Sequence, residues 1–187
     1  MTAALRSPLV WVDCEMTGLE VGKDVLMEVA AIITDGDLNP IEEKFEETIH
    51  VDDDKLRQMN DWCIDHHGAS GLTERCRQCK QSVNQVEQKL LNYIQKYIPR
   101  RREALIAGNS VHADVRFLTV EMPKVIEHLH YRIIDVSTIK ELCRRWRPDI
   151  PPFKKRLAHR ALSDIEESIA ELKYYRQHWL CSPEKKD

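Results

Sequence analysis

Residues 9–15, Leu9-Val10-Trp11-Val12-Asp13-Cys14-Glu15, decide how the rest of the chain is read. A short apolar run that stops at an acid reads as a buried strand delivering polar residues to its end. Downstream, residues 25–34 form a second strand-like run, bounded by Gly22-Lys23-Asp24 and Asp35-Gly36-Asp37. The second boundary is a hairpin signal, so residues 38–51 should return antiparallel.

Helices follow. Val83, Val86, Leu90, Tyr93, Ile94 and Tyr97 share one face at helical spacing. Ser82 and Gln85 suit a capping box, and Pro99 lies just past the end. Residues 105–107 read as a strand entering a Gly108-Asn109 turn, followed by a helix from about Val111 to Glu121 that stops before Pro123. Residues 131–134 read as a strand leading into a helix through Trp146. Pro148, Pro151 and Pro152 mark a loop to about Leu157, and a last helix should carry Leu162, Ile165, Ile169, Leu172 and Trp179 on one stripe. A hairpin followed by alternating strands and helices implies an α/β domain with a mixed sheet. We expect one domain over residues 8–180 and a polar, mobile tail over 181–187.

Composition bounds the function. The 187 residues are 42% hydrophobic and 32% charged, ordinary for a soluble globular chain. No run approaches the ~20 apolar residues of a membrane span, and residues 1–12 lack the pattern of a secretory signal. A net charge of −3 argues against a broad basic surface for long nucleic acid, yet a short strand can be gripped by a few residues and bound cations. Six cysteines (Cys14, Cys63, Cys76, Cys79, Cys143 and Cys181) read as reduced thiols in a cytosol-like compartment. Cys76 and Cys79 form a CxxC pair downstream of His66 and His67; without a second pair, zinc is the weaker reading.

The acids are the informative residues. Asp13 and Glu15, at i and i+2 of a strand, face the same side; two such charges repel unless cations lie between them. The plainer alternative is a strand ending in a polar turn. Asp114 shares the inward face of its helix with Phe117 and Leu118, so it needs a donor or a metal, or else serves as a helix-start acid. Asp164 sits beside Ile165 in the first turns of the last helix. His159, roughly 140° around that axis from Asp164, is placed at the helix entry, where it leans over the same cleft or caps the helix in solvent. Four carboxylates from three segments suit two Mg²⁺ ions, which stabilise attacking and leaving oxygens in phosphodiester hydrolysis. A neutral histidine nearby can take the proton of the attacking water.

In this order, Asp13-x-Glu15, Asp114 and His159-xxxx-Asp164 resemble the motifs of the DEDDh 3′-to-5′ exonucleases. The longer stretches VDCEMTGL (12–19), DWCIDHHGASGL (61–72), AGNSVHADVRFL (107–118), HLHYRIIDVST (128–138) and AHRALSDI (158–165) resemble the oligoribonuclease branch of that family, from about Leu9 to Trp179. The resemblance implies a ribonuclease-H-like mixed sheet flanked by helices, two Mg²⁺ or Mn²⁺ ions, a homodimer, and hydrolysis of very short RNA, dinucleotides especially, to nucleoside 5′-monophosphates. It implies Asp13, Glu15, Asp114 and Asp164 as metal ligands and His159 as general base. It also implies Leu19 as a wedge against the terminal bases, Trp62 lining the pocket, and Tyr131 contributed by the other subunit. Ser110, His67 and the partner's Arg132 would cap the 5′ phosphate.

Read without the resemblance, Leu19 is either exposed or tucked into the core, Trp62 is core, Ser110 is a helix cap, and Tyr131-Arg132 are edge residues. His112 ranks lower as a substrate contact, and Asp135 reads as a helix cap rather than a fifth ligand. Cys14 stands where the family carries an apolar residue and should point to the opposite face as a small buried thiol. Lys154, Lys155, Arg156 and residues 100–102 read as solvated charge. The expected compartment is cytoplasmic, with mitochondrial as the alternative. A DEDDh exonuclease on longer RNA or DNA ends, and an inactive RNA-binding module of the same fold, remain as competing functions.

Overall fold

Strand β1 spans Leu9–Met16, four residues beyond the apolar run that announced it. It pairs antiparallel with β2 (Leu26–Thr34), which pairs antiparallel with β3 (Pro40–Thr48). The structure is a computed structural model describing residues 5–154 and 161–180. The expected β2–β3 hairpin is present. Its turn is built on Asp35, whose Oδ1 accepts from the N–H of Asp37 and Asn39, both at 2.9 Å. Gly36 serves this turn through close approach, since a Cβ there would meet Ser7 Cβ at 3.0 Å.

After β3 come α1 (Asp53–Arg57), α2 (Asp61–Ala69), α3 (Leu72–Gln78) and α4 (Val83–Tyr97). The capping box at Ser82 and Gln85 is formed. The first three helices escaped the pattern reading because they bury few side chains; α2 buries only Cys63 and His67 and has no apolar stripe to detect. Strand β4 (Leu105–Gly108) leads into α5 (His112–Glu121). Pro123, read as a stop, also starts α6 (Pro123–His128), because proline fits the first turn of a helix, where its missing N–H is no loss. Strand β5 (His130–Asp135) and α7 (Val136–Trp146) follow, then α8 (Ala161–Tyr175) and a π-helical turn over Arg176–Leu180.

The described residues make a mixed sheet ordered β3-β2-β1-β4-β5, with β4 and β5 parallel to β1. Strand alternation divides the core. Val10, Val12 and Cys14 face a layer formed by α4, α5 and α6, including Val86, Leu90, Phe117, Leu118 and Val125. Leu9 and Trp11, with Ala30 and Ile32 of β2, face Ala161, Ile165 and Ile169 of α8. Trp11 is fully buried and donates through Nε1 to Thr34 Oγ1 at 3.1 Å. The expected α8 stripe is carried by Ile165 and Ile169, with Leu162 and Leu172 partly buried. Trp179 lies in the π-helical turn against Trp146, because the change of helical period takes it off the stripe. Arg156, His159 and the tail over 181–187 lie outside the described residues.

Candidate active site

Strand geometry places the first two acids. Asp13 and Glu15 continue the face of Leu9 and Trp11, opposite Ala30 and Glu28 of β2, and the ladder bulges between Glu15 and Met16. Helix α8 covers that same face, so Asp164, one residue before the buried Ile165, enters from above. Asp114 approaches from the other side of β1. Its Oδ1 accepts from the backbone N–H of Cys14, the residue between the two strand acids, at 2.9 Å.

Gly108 makes this convergence possible at the β4 end. A Cβ there would meet the Val12 carbonyl at 2.8 Å and Val111 Cβ at 3.0 Å, so only glycine lets the turn into α5 sit this close to β1.

Charge confirms the crowding. Burial pushes the Glu15 carboxyl up to about 7, helped by the like charges of Glu28, Asp164 and Asp114. Asp114 is 6% exposed, and burial raises it to about 6 against the pull of the Cys14 N–H. The Cys14 thiol is raised well above its ordinary value by burial first and the neighbouring acids second. It faces the α4–α6 layer, as alternation required.

Among the described residues, no three acids, histidines or cysteines are already gathered closely enough to hold one metal ion. The donor set nevertheless fits a hard cation in its chemistry: oxygen ligands whose mutual repulsion a cation would offset.

His67 joins this group. Its buried ring donates from Nε2 to the Met16 carbonyl at 2.9 Å, and Nδ1 lies 3.9 Å from Glu15 Oε2. Burial lowers its pKa, so the neutral ring leaves its Nδ1 lone pair toward Glu15. A cleft of about 500 Å³ opens here, lined by Glu15, Glu28, His66, His67 and Arg75 among others.

Leu19 and Trp62 are not core residues: they are 70% and 65% exposed, with Trp62 stacked on His66 at 4.5 Å. The turn bearing Leu19 is tied down by Asp24, which accepts from Thr17 Oγ1 and the Glu20 N–H. Ser110 does not cap α5; its hydroxyl meets Ser137 Oγ at 2.9 Å. Asp135 caps α7 through the Ser137 N–H, as its position suggested. Tyr131, 80% exposed, and Arg132 lie on β5, two strands from the acids, with the guanidinium over the tyrosine ring. One protomer therefore sets Glu15 within electrostatic reach of Asp114 and Asp164 and beside His67, with Asp13 two residues before it on the same strand face, and leaves Tyr131 and Arg132 at its edge.

Sequence reading missed Glu28 and Arg75. Glu28 is buried opposite Glu15, and Arg75 Nη2 meets it at 3.0 Å while Nη1 holds the Ser70 carbonyl at the end of α2. The available signal was a single acid inside the otherwise apolar run 25–34. The CxxC thiols are engaged with backbone: Cys76 Sγ donates to the Met27 carbonyl and Cys79 Sγ to the Thr48 carbonyl.

A mixed sheet that gathers carboxylates from β1, α5 and α8 defines a class, and the chain belongs to the exonuclease family: the family model described as Exonuclease matches residues 10–172. Within that class it is similar to a probable oligoribonuclease of Schizosaccharomyces pombe, 72% identical over 94% of this chain and 70% of that protein. A probable oligoribonuclease of Dictyostelium discoideum is 58% identical over 90% of this chain and 88% of its own length. The mitochondrial oligoribonuclease of Homo sapiens is 49% identical over 94% and 74%. Among solved structures, exonuclease I from Methylocaldum szegediense superposes with a TM-score of 0.71 at 17% identity, over 93% of this chain. The chain spans 41% of that larger protein, and the likeness is one of fold. The fold is the expected ribonuclease-H-like sheet flanked by helices.

Proposed function

We propose that this protein is a 3′-to-5′ exoribonuclease that hydrolyses very short RNA, dinucleotides above all, to nucleoside 5′-monophosphates. The observation that carries the reading is the convergence of Asp13, Glu15, Asp114 and Asp164 at the end of β1, in a chain whose curated relatives are named oligoribonucleases.

Family membership implies dependence on divalent metal. The four carboxylates are the residues that would hold it, as two Mg²⁺ or Mn²⁺ ions. When bound, such ions supply positive charge to the attacking and leaving oxygens of the phosphodiester. The Asp114 side chain is fixed by the Cys14 N–H and is thereby aimed at the strand end. His159, by the family resemblance, takes the proton of the attacking water. Water adds to phosphorus, the bond from phosphorus to the 3′ oxygen of the preceding nucleotide breaks, that oxygen takes a proton from solvent to become a 3′ hydroxyl, and the 5′-monophosphate is released.

The exposed Leu19 and Trp62 suit stacking against bases, worth about 1–3 kcal/mol per base for an aromatic platform. Ser110, His67 and the partner's Arg132, supplied across a homodimer, are the proposed 5′-phosphate cap, while the partner's Tyr131 joins Leu19 against the terminal bases. Support for the dimer is the exposed β5 edge and, beside it, an apolar groove of about 710 Å³ lined by Leu9, Leu38, Ile133, Ile134, Ile139 and Leu172 among others. Curated relatives in yeast and mammals are named mitochondrial, and among the described residues no helix is long and apolar enough to cross a membrane. We assign the chain to the cytoplasm or the mitochondrion.

The decisive assay is hydrolysis of 5′-labelled RNAs from two to ten nucleotides, with Mg²⁺ and with chelator. Mg²⁺-dependent cleavage strongest on dinucleotides is expected. Activity rising with length would keep the exonuclease and remove the closed pocket; no hydrolysis at any length would leave a binding module.

A further inference from the structure

Ser110 has a φ of 55°, in the left-handed region, where a residue with a Cβ costs roughly 1–2 kcal/mol. Two neighbours hold it there. Its backbone N–H donates to Asp135 Oδ1 at 2.9 Å and to Ser137 Oγ at 2.8 Å. Ser137 Oγ donates onward to Asn109 Oδ1 at 2.6 Å, and Asn109 Nδ2 donates to Glu171 Oε2 at 2.9 Å. Glu171 comes from α8 and is 0% exposed; its other oxygen has the Tyr175 hydroxyl at 3.4 Å and Lys140 Nζ at 3.9 Å.

The direction of these bonds follows from the carboxylate. Glu171 accepts, so the Asn109 amide must turn its NH₂ toward it and its oxygen toward Ser137. Ser137 has one proton, and Asn109 takes it. Both remaining lone pairs of Ser137 therefore face Ser110, one for its N–H and one for its hydroxyl. The buried acid thus orders every donor back to Ser110.

From this we infer that Glu171, acting through Asn109 and Ser137, is a positioning residue that sets the Ser110 turn for the 5′ end of the RNA fragment. The inference rests on the proposed reading that Ser110 faces the 5′ phosphate. A phosphate oxygen needs a donor, so the Ser110 hydroxyl must turn its proton outward on binding. The backbone turn meanwhile stays held through its N–H by Asp135 and Ser137.

Glu171 lies seven residues after Asp164, two turns along the same face of α8 or about 10.5 Å. One helix therefore carries both a proposed ligand at the hydrolytic end and the support of the 5′-end reader. That makes α8 a rigid spacer between the two ends of the pocket.

The test compares 5′-phosphorylated and 5′-hydroxyl dinucleotides as substrates for Ser137→Ala, Ser137→Thr, Glu171→Gln and Ser110→Ala, with melting curves alongside. Ser137→Ala and Glu171→Gln should raise KM for the phosphorylated dinucleotide by about tenfold, the effect of ~1.4 kcal/mol. Their kcat should stay within about twofold, and KM for the hydroxyl form should hardly move. Ser137→Thr, which restores the hydroxyl, should recover most of the loss. Should Glu171→Gln fail to fold, Asn109→Ser, which interrupts the link from Glu171 to Ser137, takes its place, and wild-type KM in that variant would remove Glu171 from the relay. Equal losses on both substrates, a fall confined to kcat, or wild-type KM in Ser137→Ala would overturn the positioning role. If Ser110→Ala itself fails to discriminate the two substrates, the 5′-end reading falls and takes the relay with it. A selective Ser110→Ala beside a wild-type-like Ser137→Ala removes the relay alone.

Discussion

Asp114 and Glu15 hold protons more tightly in the folded chain than carboxyls ordinarily do, at about 6 and about 7, chiefly because both are buried. Both groups therefore favour the folded state most below their unfolded values. That contribution is lost as pH rises through the interval from about 4 to about 7. His67, lowered by burial, works in the opposite sense, losing stability as pH falls. A Glu15→Gln/Asp114→Asn double variant cancels the carboxylate contribution and leaves that of His67 in place. In chelator, the melting temperature of the wild type should fall relative to this variant between pH 5 and pH 8. Divalent cation should raise the wild type most at pH 8, and the variant should lose hydrolysis by more than about a hundredfold while staying folded. Parallel melting profiles for the two proteins would show that these carboxyls are not strained, and the assignment of the cation site would fail with them.

At the scale of elements, the site depends on how closely β4 and the start of α5 approach β1. Gly108→Ala would press a methyl onto the Val12 carbonyl and Val111, moving the helix that carries Asp114. Overpacking of this kind costs about 1–3 kcal/mol. Urea unfolding should show that loss, and kcat should fall further than the unfolded fraction explains. Unchanged kcat would mean that Asp114 tolerates movement of its helix. On the other side of the cleft, α2 has little apolar face of its own and is held from outside. Its Asn60 cap accepts from the Cys63 N–H, and Arg75 bridges its last carbonyl to Glu28. A wall for bases is thus tied directly to the strand that faces Glu15.

The whole molecule has a net charge of −3, and among the described residues many basic side chains are engaged in exposed ion pairs, such as Arg77 with Asp53 and Arg147 with Asp149. Such a surface suits a ligand with few phosphates. The proposed pocket also needs a second protomer, since Tyr131 and Arg132 lie at the far edge of the sheet from the acids. Sedimentation should therefore give twice the chain mass. Ile133→Lys, at the β5 groove, should shift the protein toward monomer and lower dinucleotide turnover together. A fully active monomer would remove the partner from the site.

Much of this was legible in residue order because periodicity and punctuation are local. The β2–β3 hairpin, the capped α4, the strand acids and the inward Asp114 each follow from spacing within a few residues. Helices α1–α3 were not legible, since short helices with few buried side chains leave no apolar period, and α6 was hidden behind a proline that starts a helix as readily as it ends one. Trp62 read as core by residue type and Leu19 as either core or exposed, and both are exposed, because hydrophobicity does not say which side chains a fold leaves for a ligand. By itself the sequence determined the strands, the helices with an apolar stripe, their order and the chemistry of the acids. Only the tertiary structure decided that Glu28 would stand opposite Glu15 and that Glu171 would reach Asn109, sixty-two residues away. Those pairings are set by strand register and helix packing, which no local pattern encodes.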